Sequence, residues 1–172
     1  MAVVVGLATM VGAGSAQAKT KKVKPNISCA LSGVATVSPG LSPTLAIQTL
    51  SVTTSLASCT NSTVQGITGS SGSATTRSTG KKPSNCLSAA GKPTVSKVPS
   101  AVIHWNNSTS STWKYKTTLR LGQPATLKGK ILSGTFAKGK VTATLHYTYG
   151  PGQNCLTTPI TSAVITGTFN IT

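Results

Sequence analysis

The sequence predicts an all-β domain, an antiparallel β-sandwich of about eight strands with a small closed β-barrel as the alternative, and three observations carry that prediction. The first is period-two alternation. In Trp113 to Leu121 (WKYKTTLRL), Trp113, Tyr115, Thr117, Leu119 and Leu121 share one parity, while Lys114, Lys116, Thr118 and Arg120 share the other; this is the pattern of a half-buried strand. The second is punctuation: short links such as Asn106-Asn107-Ser108, Gly122-Gln123-Pro124 and Gly150-Pro151-Gly152-Gln153-Asn154 separate these runs and read as hairpin-like turns. The third is composition. Thr, Val and Ile dominate the runs and almost nothing reads as helix, so sheet must pack on sheet or close on itself.

Residues 2–11 (AVVVGLATMV) form an apolar run, and residues 12–18 (GAGSAQA) end in the small-residue pattern Ala16-Gln17-Ala18. Residues 1–18 are therefore read as a signal peptide, although a basic segment ahead of the run is missing. The run is too short to span a bilayer, and no transmembrane segment is expected in the mature chain. Residues 19–25 (KTKKVKP) are read as a basic flexible tail and 26–172 as a single all-β domain, long enough to bury a core of its own.

Along that domain the strand signals begin at 27–37, where Ile27, Cys29, Leu31, Gly33, Ala35 and Val37 alternate with small or polar residues, and Pro39-Gly40-Leu41-Ser42-Pro43 then marks a turn. The next strand is expected over 44–59. Leu45 and Ile47 lie there on one parity and Leu50, Val52 and Leu56 on the other, a phase change that predicts a bulge. Residues 61–80, rich in Ser, Thr and Gly, read as one or two weak strands broken by Gly69-Ser70-Ser71-Gly72, with disorder as the competing reading. Cys86 to Gly91 is the one plausible helical turn. Clearer strands follow at 101–105, 111–121, 125–132, 140–149 and 162–172.

Cys29, Cys59, Cys86 and Cys155 are an even set in a chain expected to be exported, and two disulfides are the default. Four cysteines allow three connectivities. Cys29 opens one strand pattern and Cys59 closes the next, which places them together at the open end of a hairpin, so the expected pairs are Cys29 with Cys59 and Cys86 with Cys155. A metal site is disfavoured because no CxxC or HxxxH spacing accompanies them.

Residues 131–141 (ILSGTFAKGKV), 149–158 (YGPGQNCLTT), Thr166-Gly167-Thr168 and Ile103-His104-Trp105 resemble small secreted disulfide-containing β-domain proteins of actinobacteria. That resemblance extends loosely to the N-terminal half through Cys29 and Cys59. It implies location and fold and carries no activity; the lost acids, as at Asn106-Asn107, are a departure from it.

The chain of 172 residues has no Asp or Glu and sixteen Lys and Arg, a net charge of +16, where an average chain is about a quarter charged with both signs. All sixteen cations lie after residue 18. The absence of acids removes the paired carboxylates of glycosidases, the orienting acid of a Ser-His-Asp triad and the usual ligands of Mg²⁺ and Ca²⁺. His104 and His146 remain, read as surface histidines without a third ligand. No phosphate loop is present, since Gly69-Ser70-Ser71-Gly72 fits neither GxxxxGK nor GxGxxG. The expectation is a non-enzymatic protein without cofactor or metal.

What remains is the cationic surface. Lys114, Lys116 and Arg120 share a parity, as do Lys128 and Lys130, and Lys140 shares that of Thr142 and Thr144; if these strands are neighbours, one sheet face is a field of Lys and Thr. These six cations are the candidate polyanion-binding residues. The expected partners are anionic polymers or surfaces, namely wall polymer, acidic polysaccharide or anionic lipid headgroups. Nucleic acid is less favoured, because the parity turns Trp113 and Tyr115 away from the cations, whereas single-strand binders stack bases on exposed rings beside them. Two alternatives stand beside this reading: a β-barrel carrier of a small apolar ligand, and a structural exported protein whose lack of acids is adaptation to low pH.

Overall fold

The computed structural model describes residues 24–60, 62–86, 94–119 and 122–172. Eight strands are formed, β1 (Ile27–Leu41), β2 (Thr49–Thr60), β3 (Ala74–Thr79), β4 (Thr94–His104), β5 (Ser110–Leu119), β6 (Ala125–Gly134), β7 (Lys140–Tyr149) and β8 (Ile160–Ile171). All belong to one antiparallel sheet in the order β3-β2-β1-β8-β7-β6-β5-β4. The two edge strands β3 and β4 approach each other without a hydrogen-bonded ladder, so the sheet is a nearly closed barrel. The antiparallel all-β class, the eight strands and both disulfides agree with the sequence reading. Of its two architectures, the chain adopts the barrel-like one.

Glycines on the inward parity explain how one sheet coils so far. Gly167 lies between Ile165 and Phe169 on β8, and a Cβ there would stand 2.0 Å from the Thr144 carbonyl oxygen of β7. At Gly33 on β1 the same atom would stand 2.2 Å from the Thr53 carbonyl oxygen of β2. Strands this close bend tightly because no side chain separates them. Two facing sheets would need side chains at both positions to fill the space between the layers.

The inward faces supply the core: Ile27 and Leu31 from β1, Ile131 from β6, Val141 from β7, and Ile165, Phe169 and Ile171 from β8, all buried. Trp105, just after β4, plugs one end. Its Nε1 donates to Ser111 Oγ at 2.8 Å, the Ser111 hydroxyl donates to the Thr135 carbonyl, and Phe136 meets the indole edge-on at 5.5 Å. The buried indole N–H therefore has its partner, which is the condition for keeping tryptophan inside. The Cys29–Cys59 disulfide closes the same end. At the other end Cys86–Cys155, with Ile160, Leu41 and Tyr149, forms a second, smaller apolar cluster.

Several boundaries differ from the sequence reading. β1 continues through Pro39 and Gly40 to Leu41, so the turn expected there falls later. β2 begins at Thr49, and Leu45 and Ile47 are exposed on the connection before it. The phase change read as a bulge is thus the start of the strand; the register shift between β1 and β2 lies instead between Ser28 and Ala30. β4 is longer than expected and carries its own shift between Val98 and Ala101. The signal peptide (1–18), most of the basic tail, and residues 87–91 of the expected helical turn lie outside the described residues.

The Ser, Thr and Gly rich segment yields one strand, β3, and before it a packed connection, 62–73. Ile67 is buried, Thr63 N–H donates to the Asn26 carbonyl, and Ser70 and Ser71 N–H donate to the Leu56 and His104 carbonyls. Asn106 holds it further. Its Oδ1 accepts from the Thr68 and Gly69 N–H groups, and its Nδ2 donates to Thr68 Oγ1 at 2.8 Å. The side chain of Asn106 therefore ties the turn after β4 to this connection through three hydrogen bonds. The connection thereby stitches β2 to the end of β4 at the plugged end of the seam.

Candidate functional site

Strands β5, β6 and β7 lie side by side, and their register brings the predicted cations together. Lys116 pairs directly with Lys128, Lys114 with Lys130, and Lys130 with Lys140. Lys97 on β4 occupies the register position opposite Lys116. Lys114, Lys116, Lys128, Lys130 and Lys140 are all exposed, alternating with inward Trp113, Leu127, Ile131 and Val141. Arg120, the sixth predicted residue, lies outside the described residues. Beyond the lysines the same outer face carries Thr142, Thr144, His146, Thr166 and Thr168, so hydroxyls border the charge.

Directly opposite residues on one sheet face have Cβ atoms about 4.5 to 5.5 Å apart, and like charges placed there destabilise the pair. Three such Lys–Lys pairs stand on this face with no acidic side chain anywhere in the chain to offset them. The arrangement is therefore a fixed positive surface of two rows, about 6.8 Å apart along the strands, with no side-chain counter-charge in the chain.

The interior offers a second site. Between the plugged end and the seam lies a cavity of about 220 Å³, lined mainly by apolar side chains that include Leu50, Val52, Leu56, Trp113 and Phe169. Trp113 stacks on Tyr115 with ring centroids 4.3 Å apart and meets Phe169 edge-on at 5.6 Å. The lining reaches residues on both sides of the seam, Ala74, Thr76, Arg77 and Ser78 on β3 and Ala101 to His104 on β4, and the cavity is not fully enclosed. Tyr115 spans toward β3, its hydroxyl donating to Thr76 Oγ1 at 3.3 Å.

The tyrosines of this interior stay protonated. Burial pushes the Tyr147 hydroxyl up to about 12, helped by the neighbouring Tyr149 and Tyr115, and burial also raises Tyr115 against the opposing hydrogen bond from Thr76. They are thus neutral hydrogen-bonding groups through the physiological range. His104 lies at the cavity rim and His146 on the outer face opposite Thr166, both exposed. Among the described residues no three His or Cys side chains gather in a way that holds a metal ion.

The sequence assigns Trp113 and Tyr115 to the interior and Val52 to a strand face but none of them to a cavity wall, and it singles out neither Thr76 nor Arg77. The signal for β3 was weak, because only six residues form it and most are Ser or Thr. Comparison with protein-family models, curated proteins and solved structures finds no match to this chain.

Proposed function

We propose that this is an exported, non-enzymatic β-barrel domain that associates electrostatically with an anionic polymer or surface of the cell envelope or its surroundings. The observation that carries the reading is the row pairing of Lys116 with Lys128 and of Lys114 with Lys130 and Lys140. The like charges weaken the sheet where they stand opposed, and a repeating anion would relieve the repulsion while releasing its own counterions. Thr142 and Thr144 beside the lysines add hydroxyl partners for the same ligand. Two disulfides suit an oxidising compartment, and among the described residues no helix is long and apolar enough to cross a membrane.

Retention on immobilised heparin and on anionic lipid vesicles, measured from low to high salt, tests the reading. Five lysine contacts are expected to give a log–log salt slope on the order of −4, and the double substitution Lys116→Thr with Lys128→Thr to make it shallower by about 2. Retention that ignores salt, or a slope unmoved by the double substitution, overturns the assignment to this face.

A second reading, the barrel as carrier of a small apolar ligand, is favoured by a separate observation, the mainly apolar, partly open cavity of about 220 Å³. Cavities of roughly 150 Å³ already take benzene when lined by aliphatic and aromatic side chains.

A further inference from the structure

We infer that the cavity takes a small uncharged hydrocarbon bearing one hydroxyl group, which meets the Tyr115–Thr76 hydrogen bond while the hydrocarbon lies against Val52, Trp113 and Phe169. The inference rests on the carrier reading and adds to it the charge and the polar group of the ligand.

These five side chains all line the cavity, and each is tied to the next. Val52 on β2 stands directly opposite Thr76 on β3 in the register. The Tyr115 hydroxyl reaches Thr76 Oγ1 at 3.3 Å. The Tyr115 ring stacks on Trp113 at 4.3 Å, and Trp113 meets Phe169 edge-on at 5.6 Å. A pair of hydroxyls thus sits within an otherwise apolar surface. Scaling from the benzene-sized cavity of about 150 Å³, a space of about 220 Å³ suits a ligand of roughly nine non-hydrogen atoms.

The lining gives a charged ligand no partner. Among the described residues, its only ionisable groups besides the tyrosines are Arg77 and His104. Both are exposed and lie on the outward parity of their strands, Arg77 between inward Thr76 and Ser78, His104 between buried Ile103 and Trp105, so they belong to the rim. A carboxylate inside would have no cation beside it, and an ammonium would find no anion in a chain without Asp or Glu. Either would be desolvated unpaired, which excludes it.

The hydroxyl pair selects the polar group. Tyr115 spends its proton on Thr76 Oγ1 and keeps lone pairs on its own oxygen, while the Thr76 proton has no acceptor among the described residues. One donor and one acceptor therefore stand side by side. A ligand hydroxyl answers both, accepting from Thr76 and donating to Tyr115.

Calorimetric titration with para-ethylphenol, with its hydrocarbon isostere para-ethyltoluene and with para-methylbenzoate tests the inference, in 0.5 M salt to screen the outer lysines (about a 4 to 5 Å screening length). The phenol and the toluene are expected to bind one-to-one, and the benzoate about tenfold or more weaker than the phenol. Thr76→Val and Tyr115→Phe are each expected to weaken the phenol about tenfold while leaving the toluene unchanged; the toluene reports that the cavity of each variant is intact. If neither variant lowers the ratio of phenol to toluene affinity, the hydroxyl assignment is overturned and the carrier reading survives. Benzoate binding as tight as that of the phenol would overturn the requirement for an uncharged ligand. If neither the phenol nor the toluene binds, the carrier reading falls with the inference.

Discussion

The wall made by β5 to β8 and the seam between β3 and β4 are built on opposite terms. On the wall, strands of ten to twelve residues alternate buried and exposed positions almost without a break. At the seam, β3 has six residues, β2 is half-buried over its first seven positions, and no ladder joins β3 to β4. The wall is rigid enough to carry three opposed lysine pairs on its outside, while the seam leaves the space that the wall fills with side chains. Strong packing and strong surface charge therefore coincide on the wall, and ligand-sized space lies between the wall and the strands beside the seam.

The largest effect is expected from truncating the wall's core. Ile165→Ala, at a fully buried position on β8, is expected to lower stability by about 2 to 5 kcal/mol, whereas Val52→Ala, half-buried beside the cavity, is expected to cost about 1 kcal/mol. Chemical denaturation of both variants measures the contrast. Equal losses would mean that the seam side is packed as tightly as the wall.

pH provides the next contrast. The chain has no Asp or Glu whose folded-state pKa acid could overcome, so unfolding curves at pH 2 and pH 7 are expected to differ little. At the alkaline end the sign reverses. The Tyr147 hydroxyl is raised to about 12 from its ordinary 10, so its contribution is complete below pH 10 and is lost as pH climbs through 12. Tyr147→Phe is expected to flatten that alkaline decline; an unchanged slope would remove Tyr147 as its source.

The smallest effect concerns the outer face. Lys128→Glu turns the Lys116–Lys128 pair from like to opposite charge and is expected to raise stability by about 0.2 to 1 kcal/mol, while weakening retention on heparin. Added salt is expected to stabilise the unmodified domain by screening the same repulsion. A destabilised Lys128→Glu domain that still binds polyanion would break the link between the two properties.

Much of this was legible residue by residue. Trp113, Tyr115 and the lysines between them declare opposite faces by parity alone, and Lys128, Lys130 and Lys140 repeat the signal, because a pleated strand allows no other arrangement. Cys29 and Cys59 were paired from their places in a hairpin. The seam was harder to read, since Thr76 and Ser78 face inward where an apolar residue would have announced a strand. Asn106 looked like a mere loss of charge until its three bonds to the 62–73 connection were visible.

By itself, then, the sequence determined the β class, the strand periodicity, the disulfide pairs, the uncompensated charge and the chemistry that this charge rules out, all of which depend on residue type and near-neighbour spacing. Only the tertiary structure decided that the strands coil into one barrel, that lysines from three strands face one another directly, and that a cavity stays open behind β3. Those features depend on how distant strands align and how closely they approach, as where Gly167 lets β8 press against Thr144, and a local pattern holds no measure of that distance.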